Sequence, residues 1–164
     1  MLYDKFRKIF ELPFCFLKKP DAEAEIYGSG EYPEIQGNTY FYQTRKGVVI
    51  GAEISGLPKP KDPCKSPVFG FHIHEGTECQ GNNTDPFTNA MSHYNPKNCP
   101  HPFHAGDLPP LFGNNGYAFM MVLSDRFTVK EIIGKTVIIH SAPDDFTSQP
   151  SGNAGEKIAC GVIR

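Results

Sequence analysis

Six histidines stand in this 164-residue chain, and all six fall at spacings that suit metal coordination. His72 and His74 alternate with Phe71 and Ile73 in the run 70–75. His93 opens His93-Tyr94-Asn95-Pro96, and His101, His104 and Asp107 follow in one short stretch. His140 closes the apolar run 136–140. Neutral imidazole is the commonest protein ligand for zinc and copper. A chain that places histidine nowhere else reads as one built around metal.

On a β-strand, residues i and i+2 share a face, so His72 and His74 can reach one ion. Taken alone, that pair suits a half-exposed strand better than a metal site. The second cluster has the spacing H-x7-H-x2-H-x2-D, with Pro96, Pro100, Pro102 and Gly106 interspersed. Proline removes backbone donors and clashes with the preceding turn, so this segment reads as a loop. Three imidazoles and a carboxylate form a set that tetrahedral zinc accepts, and binding adds to folding free energy. The plainer alternative is a polar surface loop with solvated histidines. His140 ends a β-branched run, as expected of a core strand delivering one residue to its rim.

Together these stretches resemble the copper–zinc superoxide dismutase family. They are Gly-Phe-His-Ile-His-Glu (70–75), His-Tyr-Asn-Pro (93–96), His-Ala-Gly-Asp-Leu-Pro (104–109), Gly-Lys-Thr-Val-Ile-Ile-His (134–140) and Gly-Asn-Ala-Gly-Glu-Lys-Ile-Ala-Cys-Gly-Val-Ile (152–163). Their order agrees with the family's, and the resemblance covers roughly residues 23–164. Cys79 and Asp-Leu-Pro-Pro look like bacterial members. The resemblance implies copper on His72, His74, His93 and His140, and zinc on His93, His101, His104 and Asp107. His93 would bridge the two ions as an imidazolate, and Asp144 would hold the remaining nitrogens of His72 and His101. Without the resemblance, Pro143-Asp144-Asp145 reads as an ordinary turn. The implied activity is disproportionation of superoxide to oxygen and hydrogen peroxide, with His93 taking and returning a proton.

The resemblance also implies a disulfide between Cys79 and Cys160. Cys64 and Cys99 are extra; Cys99, inside the zinc loop, pairs with Cys64 or stays a buried thiol, and Cys15 is the odd one. The gap between His101 and His104 is shorter than the family usually has. A further departure is Lys157, where the family usually has an active-site arginine. Lysine keeps the charge without the planar fork. Lys157 is expected to attract and loosely position superoxide, with activity falling as salt screens it; otherwise it is a solvated surface lysine.

The elements that must position these residues are short β-like runs separated by Gly, Pro and Asn, such as 47–50, 117–123 and 136–139. The Gly113-Asn114-Asn115-Gly116 segment is hairpin punctuation. The fold class is therefore all-β, and the resemblance makes it a Greek-key sandwich or barrel of the immunoglobulin-like type with long metal-binding loops. That domain is assigned to residues 22–164. Residues 1–21 form an amphipathic extension, with Leu2, Tyr3, Phe6, Ile9 and Phe10 at helical spacing until Pro13. Membrane contact of residues 1–12 is the less favoured role; packing on the sandwich, or on a second subunit in a homodimer, is preferred. The segment makes a poor signal peptide, so a cytoplasmic location is expected. A net charge of −2 argues against general nucleic-acid binding. The alternative function is a copper-delivery or metal-storage protein retaining the fold. Such a protein need not keep every ligand, yet all seven positions are filled here.

Overall fold

The computed structural model describes residues 19–62, 64 and 67–164. The amphipathic run over Leu2–Phe10, its membrane or subunit contact, and Cys15 lie outside the described residues. Nine strands follow in chain order: β1 (Ala22–Gly28), β2 (Gln36–Thr44), β3 (Gly47–Ser55), β4 (Val68–Phe69), β5 (Phe71–His74), β6 (Leu111–Phe112), β7 (Tyr117–Ser124), β8 (Thr136–His140) and β9 (Lys157–Val162). One helical turn, α1 (Val129–Ile132), precedes β8. It starts where the Glu131 carboxylate accepts hydrogen bonds from the Thr128 amide and hydroxyl, which satisfies a donor at the helix start.

Seven strands form one antiparallel sheet in the order β5-β8-β9-β1-β2-β3-β7, and β4 pairs with β6. The chain passes from β3 to β5 at the opposite edge, returns to β7 beside β3, and crosses again to β8 beside β5. These crossings give the Greek-key form of the all-β fold. Alternation supplies the inner face: Ala22, Ala24 and Ile26 of β1 are buried while Glu23 and Glu25 are exposed. They pack with Phe41, Ile50, Ile54, Ile73, Ile139 and Ile158 in one core. The hairpin into β7 turns at Asn115 and Gly116, both with positive φ (53° and 87°). Asn114 and Tyr117 close it by exchanging backbone hydrogen bonds, as a tight turn of primed type requires.

β5 departs from a half-exposed strand. Its four residues are all buried, with His72 at 0% and His74 at 2% exposure. Both faces are covered because loops fold over the side away from the core.

Cys79 and Cys160 form a disulfide with a Cα–Cα distance of 5.6 Å. It packs with Phe87, Ala90 and Ile138 in a second apolar cluster, tying the loop after β5 to β9. The Cys64–Cys99 bridge does not form; both thiols are free. Each cysteine is anchored in its own turn. The Cys64 amide donates to Asp62, whereas the Cys99 amide and carbonyl are both held by the Asn95 side chain.

The Cys79–Cys160 link spans 81 residues, for which chain entropy gives at most roughly 4.5 kcal/mol. Metal-free Cys79→Ser is therefore expected to unfold at a clearly lower urea concentration than the oxidised parent. Coincident unfolding curves would show that the bridge does not support the fold.

Candidate metal centre

Backbone pairing places the candidate ligands before any side chain acts. On one edge of β5, Phe71–His74 pairs with Thr136–Ile139 of β8. His140 follows at a register irregularity, its amide donating to Gly70 O at 2.8 Å; such a bulge re-aims a side chain. The other edge of β5 is taken by the loop. Ile73 N donates to Gly106 O at 2.9 Å and Ile73 O accepts from Tyr94 N at 2.8 Å. His72 thereby faces Asp107, and His74 faces His93. The structure brings all seven residues into two groups sharing His93. One is His72, His74, His93 and His140; the other is His93, His101, His104 and Asp107. Within each, the ligand atoms lie within 4.8 Å of one another.

Outer contacts decide which ring nitrogen faces inward. His72 Nε2 is 2.8 Å from Asp144 Oδ2, and His101 Nε2 is 2.9 Å from Asp144 Oδ1. His74 Nδ1 is 2.8 Å from Met91 O, and His140 Nδ1 is 3.3 Å from Gly155 O. This leaves His74 Nε2 and His140 Nε2 facing each other at 3.2 Å. His72 Nδ1, His93 Nε2 and His101 Nδ1 are buried and have no hydrogen-bond partner. In the second group, Asp107 Oδ1 lies 2.7 Å from His93 Nδ1 and 3.2 Å from His104 Nδ1, and Asp107 Oδ2 lies 3.1 Å from His101 Nδ1. The His101–Asp107 approach is close without hydrogen-bond alignment, as when two lone pairs point at one ion. Orphaned buried nitrogens are costly, and cations at the two foci would satisfy them. The donor sets fit: four nitrogens suit copper, and three nitrogens with a carboxylate suit zinc.

Electrostatics favour the unprotonated ligands. Burial pushes His72 down to about 4 and His140 down to about 3, the neighbouring imidazoles adding to both; burial likewise holds His74 well below its ordinary range. At neutral pH their lone pairs are available. Burial alone would raise Asp144, but hydrogen bonds from His72, the Phe146 amide and His101 hold it well below the usual carboxylate range. Asp107 is lowered in the same way by its hydrogen bond with His93 and the charges of the surrounding histidines, against the effect of burial.

Several supporting groups escaped the sequence reading. Arg126 Nη1 lies within 3.2 Å of the carbonyl oxygens of Pro102, His104 and Asp107, donating into the zinc loop. Gln149 exchanges two hydrogen bonds with the His101 backbone. Gly152 has φ +67°, and a Cβ there would collide with the Asp144 carboxylate and the His101 ring, so glycine keeps that bridge open. Lys157 opens β9, half-buried rather than fully solvated, and its Nζ is paired with Asp85 Oδ2. Asp85 carried no sequence signal beyond its place in an Asx-type turn.

A cleft of about 1010 Å³ leads to His74, His93, His104 and His140. Among the described residues its lining holds one Lys or Arg side chain, Lys157, together with the carboxylates Glu31, Glu75, Asp85 and Glu156. An antiparallel barrel carrying two adjoining nitrogen-rich donor sets, both reaching one cleft, suits a two-metal protein. Residues 35–163 match the family described as copper/zinc superoxide dismutase. The chain is 36% identical over 146 residues to copper–zinc superoxide dismutase 2 of Aquifex aeolicus (strain VF5), covering 80% of each. It is 34% identical over 152 residues to the copper–zinc superoxide dismutase of Legionella pneumophila, covering 88% of this chain and 87% of that one. Against the copper–zinc superoxide dismutase of Photobacterium leiognathi it is 34% identical over 142 residues, covering 78% of each. The chain belongs to the copper/zinc superoxide dismutase family.

The Asp144 bridge generates a prediction. His72 is fixed by strand pairing on both sides, whereas His101 sits in a loop and depends more on Asp144 for its orientation. Asp144→Ala is therefore expected to weaken zinc retention by about 10- to 100-fold and copper retention by less. Competitive chelation of the loaded proteins measures both; unchanged zinc affinity would show that the bridge does not orient His101.

Proposed function

We propose that copper occupies the His72, His74, His93 and His140 group, that zinc occupies the His93, His101, His104 and Asp107 group, and that Lys157 guides the substrate. The protein is an enzyme, a copper- and zinc-dependent superoxide dismutase, converting two superoxide ions and two protons to oxygen and hydrogen peroxide. The observation that carries the assignment is the sharing of His93 between two buried donor sets, with Nε2 left unpartnered. When bound, copper supplies a one-electron couple for superoxide, while zinc supplies fixed charge without redox chemistry.

The chain's own part is positional and protonic. His72, His74 and His140 present neutral nitrogens from rigid strands. His93 Nε2 lies where it can take a proton and return it to reduced substrate, and water in the cleft supplies the second proton. Lys157 is the cation nearest this path among the cleft-lining residues. The sequence suggested a local attraction by Lys157, damped by salt. Four carboxylates line the same cleft, and one of them, Asp85, pairs with that lysine, so its pull is short-ranged. A unit charge at contact distance in water contributes about 1 kcal/mol, equivalent to about fivefold in kcat/KM.

Metal analysis with superoxide consumption tests these assignments together. The loaded protein should hold one copper and one zinc and turn over superoxide, and His101→Ala should lose zinc while keeping copper. Lys157→Ala, fully copper-loaded, should be about fivefold slower, and Lys157→Arg should retain parent activity. Metal bound without turnover would favour the delivery or storage alternative. Full zinc in His101→Ala would overturn that ligand assignment.

We also propose a homodimer formed through the outer face of β7. β7 ends the large sheet, and Phe119 and Leu123 stand exposed on one face of it, with Phe112 of β6 also exposed. Neighbouring apolar side chains at a sheet edge support pairing between copies. Sedimentation should give a dimer for the parent and a monomer for Phe119→Glu/Leu123→Glu. A monomeric parent at high protein concentration would sink this proposal.

A further inference from the structure

The Lys157 ammonium is held in place by a built contact. It meets Asp85 Oδ2, with the Lys157 side chain 16% and the Asp85 side chain 36% exposed, and both residues line the cleft. Asp85 is itself rigidly presented. Its Oδ1 accepts the Phe87 amide at 3.0 Å, and its carbonyl accepts the Asn82 amide at 2.9 Å and the Thr88 hydroxyl at 2.9 Å. The Asn82 side-chain oxygen in turn accepts the amides of Thr84 and Asp85. A lysine offers a point charge on a flexible stem, whereas an arginine's fork is pre-organised. A lysine used for placement therefore needs a second group to fix its end.

We propose that Asp85 is a positioning residue that fixes the Lys157 ammonium at the rim of the cleft. The anion then meets that charge at one place, while the same carboxylate cancels most of the lysine's long-range attraction. This inference rests on the assignment of Lys157 as the guiding group.

The test is a double-substitution cycle on the copper- and zinc-loaded enzyme, reading kcat/KM for superoxide at low salt and at about 0.5 M, where the Debye length is about 4 Å. Asp85→Asn keeps an oxygen for the Phe87 amide but loses the carboxylate. At low salt, removing a negative charge from the rim should raise the rate. At high salt that effect is screened, and Asp85→Asn should be two- to threefold slower than the parent because Lys157 is no longer placed. In the Lys157→Gln background, the same substitution should cause no slowing at high salt. Equal slowing in both backgrounds would reveal a merely structural Asp85 and overturn the proposal. Parent-like Asp85→Asn at high salt, alongside a slow Lys157→Gln, would overturn it while leaving the Lys157 assignment intact. A parent-like Lys157→Gln would remove that assignment and the Asp85 role with it. Should Asp85→Asn fail to fold, Asp85→Ser, which also suits the turn, is judged by the same criteria.

Discussion

Everything at the metal centre depends on the two backbone edges of β5. A strand with one free edge exposes unpaired amides and carbonyls, which invites pairing with another chain. Here one edge is taken by β8 and the other by the segment around His93 and Gly106. The same hydrogen bonds that protect the strand also bring ligands from loop and sheet beside His72 and His74. Misregister of β5 by one residue would turn both histidines to the opposite face and remove both donor sets together.

Above that backbone frame, a few polar side chains fix angles rather than positions. Asp144 joins an imidazole from each donor set through separate oxygens, so rotation of one ring is felt by the other. Arg126 and Gln149 hold the loop by its carbonyls and by the His101 backbone. Tyr94, Ala105 and Leu108 seat the loop on the main core; these bonds and the shared ligands hold its remaining polar stretch.

The fold class was legible because alternation and turn chemistry act locally. Asn115-Gly116 demands positive φ, and β-branched runs such as 136–139 pack on a pleated sheet. The histidines stood out because they are few and ordered like the family's. Other features were invisible for physical reasons. Carbonyls such as Met91 O and Gly155 O belong to any residue type, so sequence cannot mark them as ring-orienting groups. Arg126 acts across the loop from a distant turn. The burial of β5 on both faces follows from loops folding over it, which no period-two pattern within four residues can announce. The free state of Cys64 and Cys99 depends on two separate local anchors and not on cysteine count. The pairing of Lys157 with Asp85 depends on a long-range approach between the last strand and a loop turn.

That approach has a topological consequence. Cys79 and Asp85 share one loop, and Lys157 and Cys160 share β9, so the disulfide and the ion pair together close a small ring of chain. Inside it, ammonium and carboxylate meet as tethered partners at high effective concentration. An ordinary surface ion pair must order two long, independent side chains for little net gain. Here much of that ordering is already met by the covalent crosslink and the strand, so a structural bridge on the same strand as Lys157 also shapes the electrostatics of the cleft.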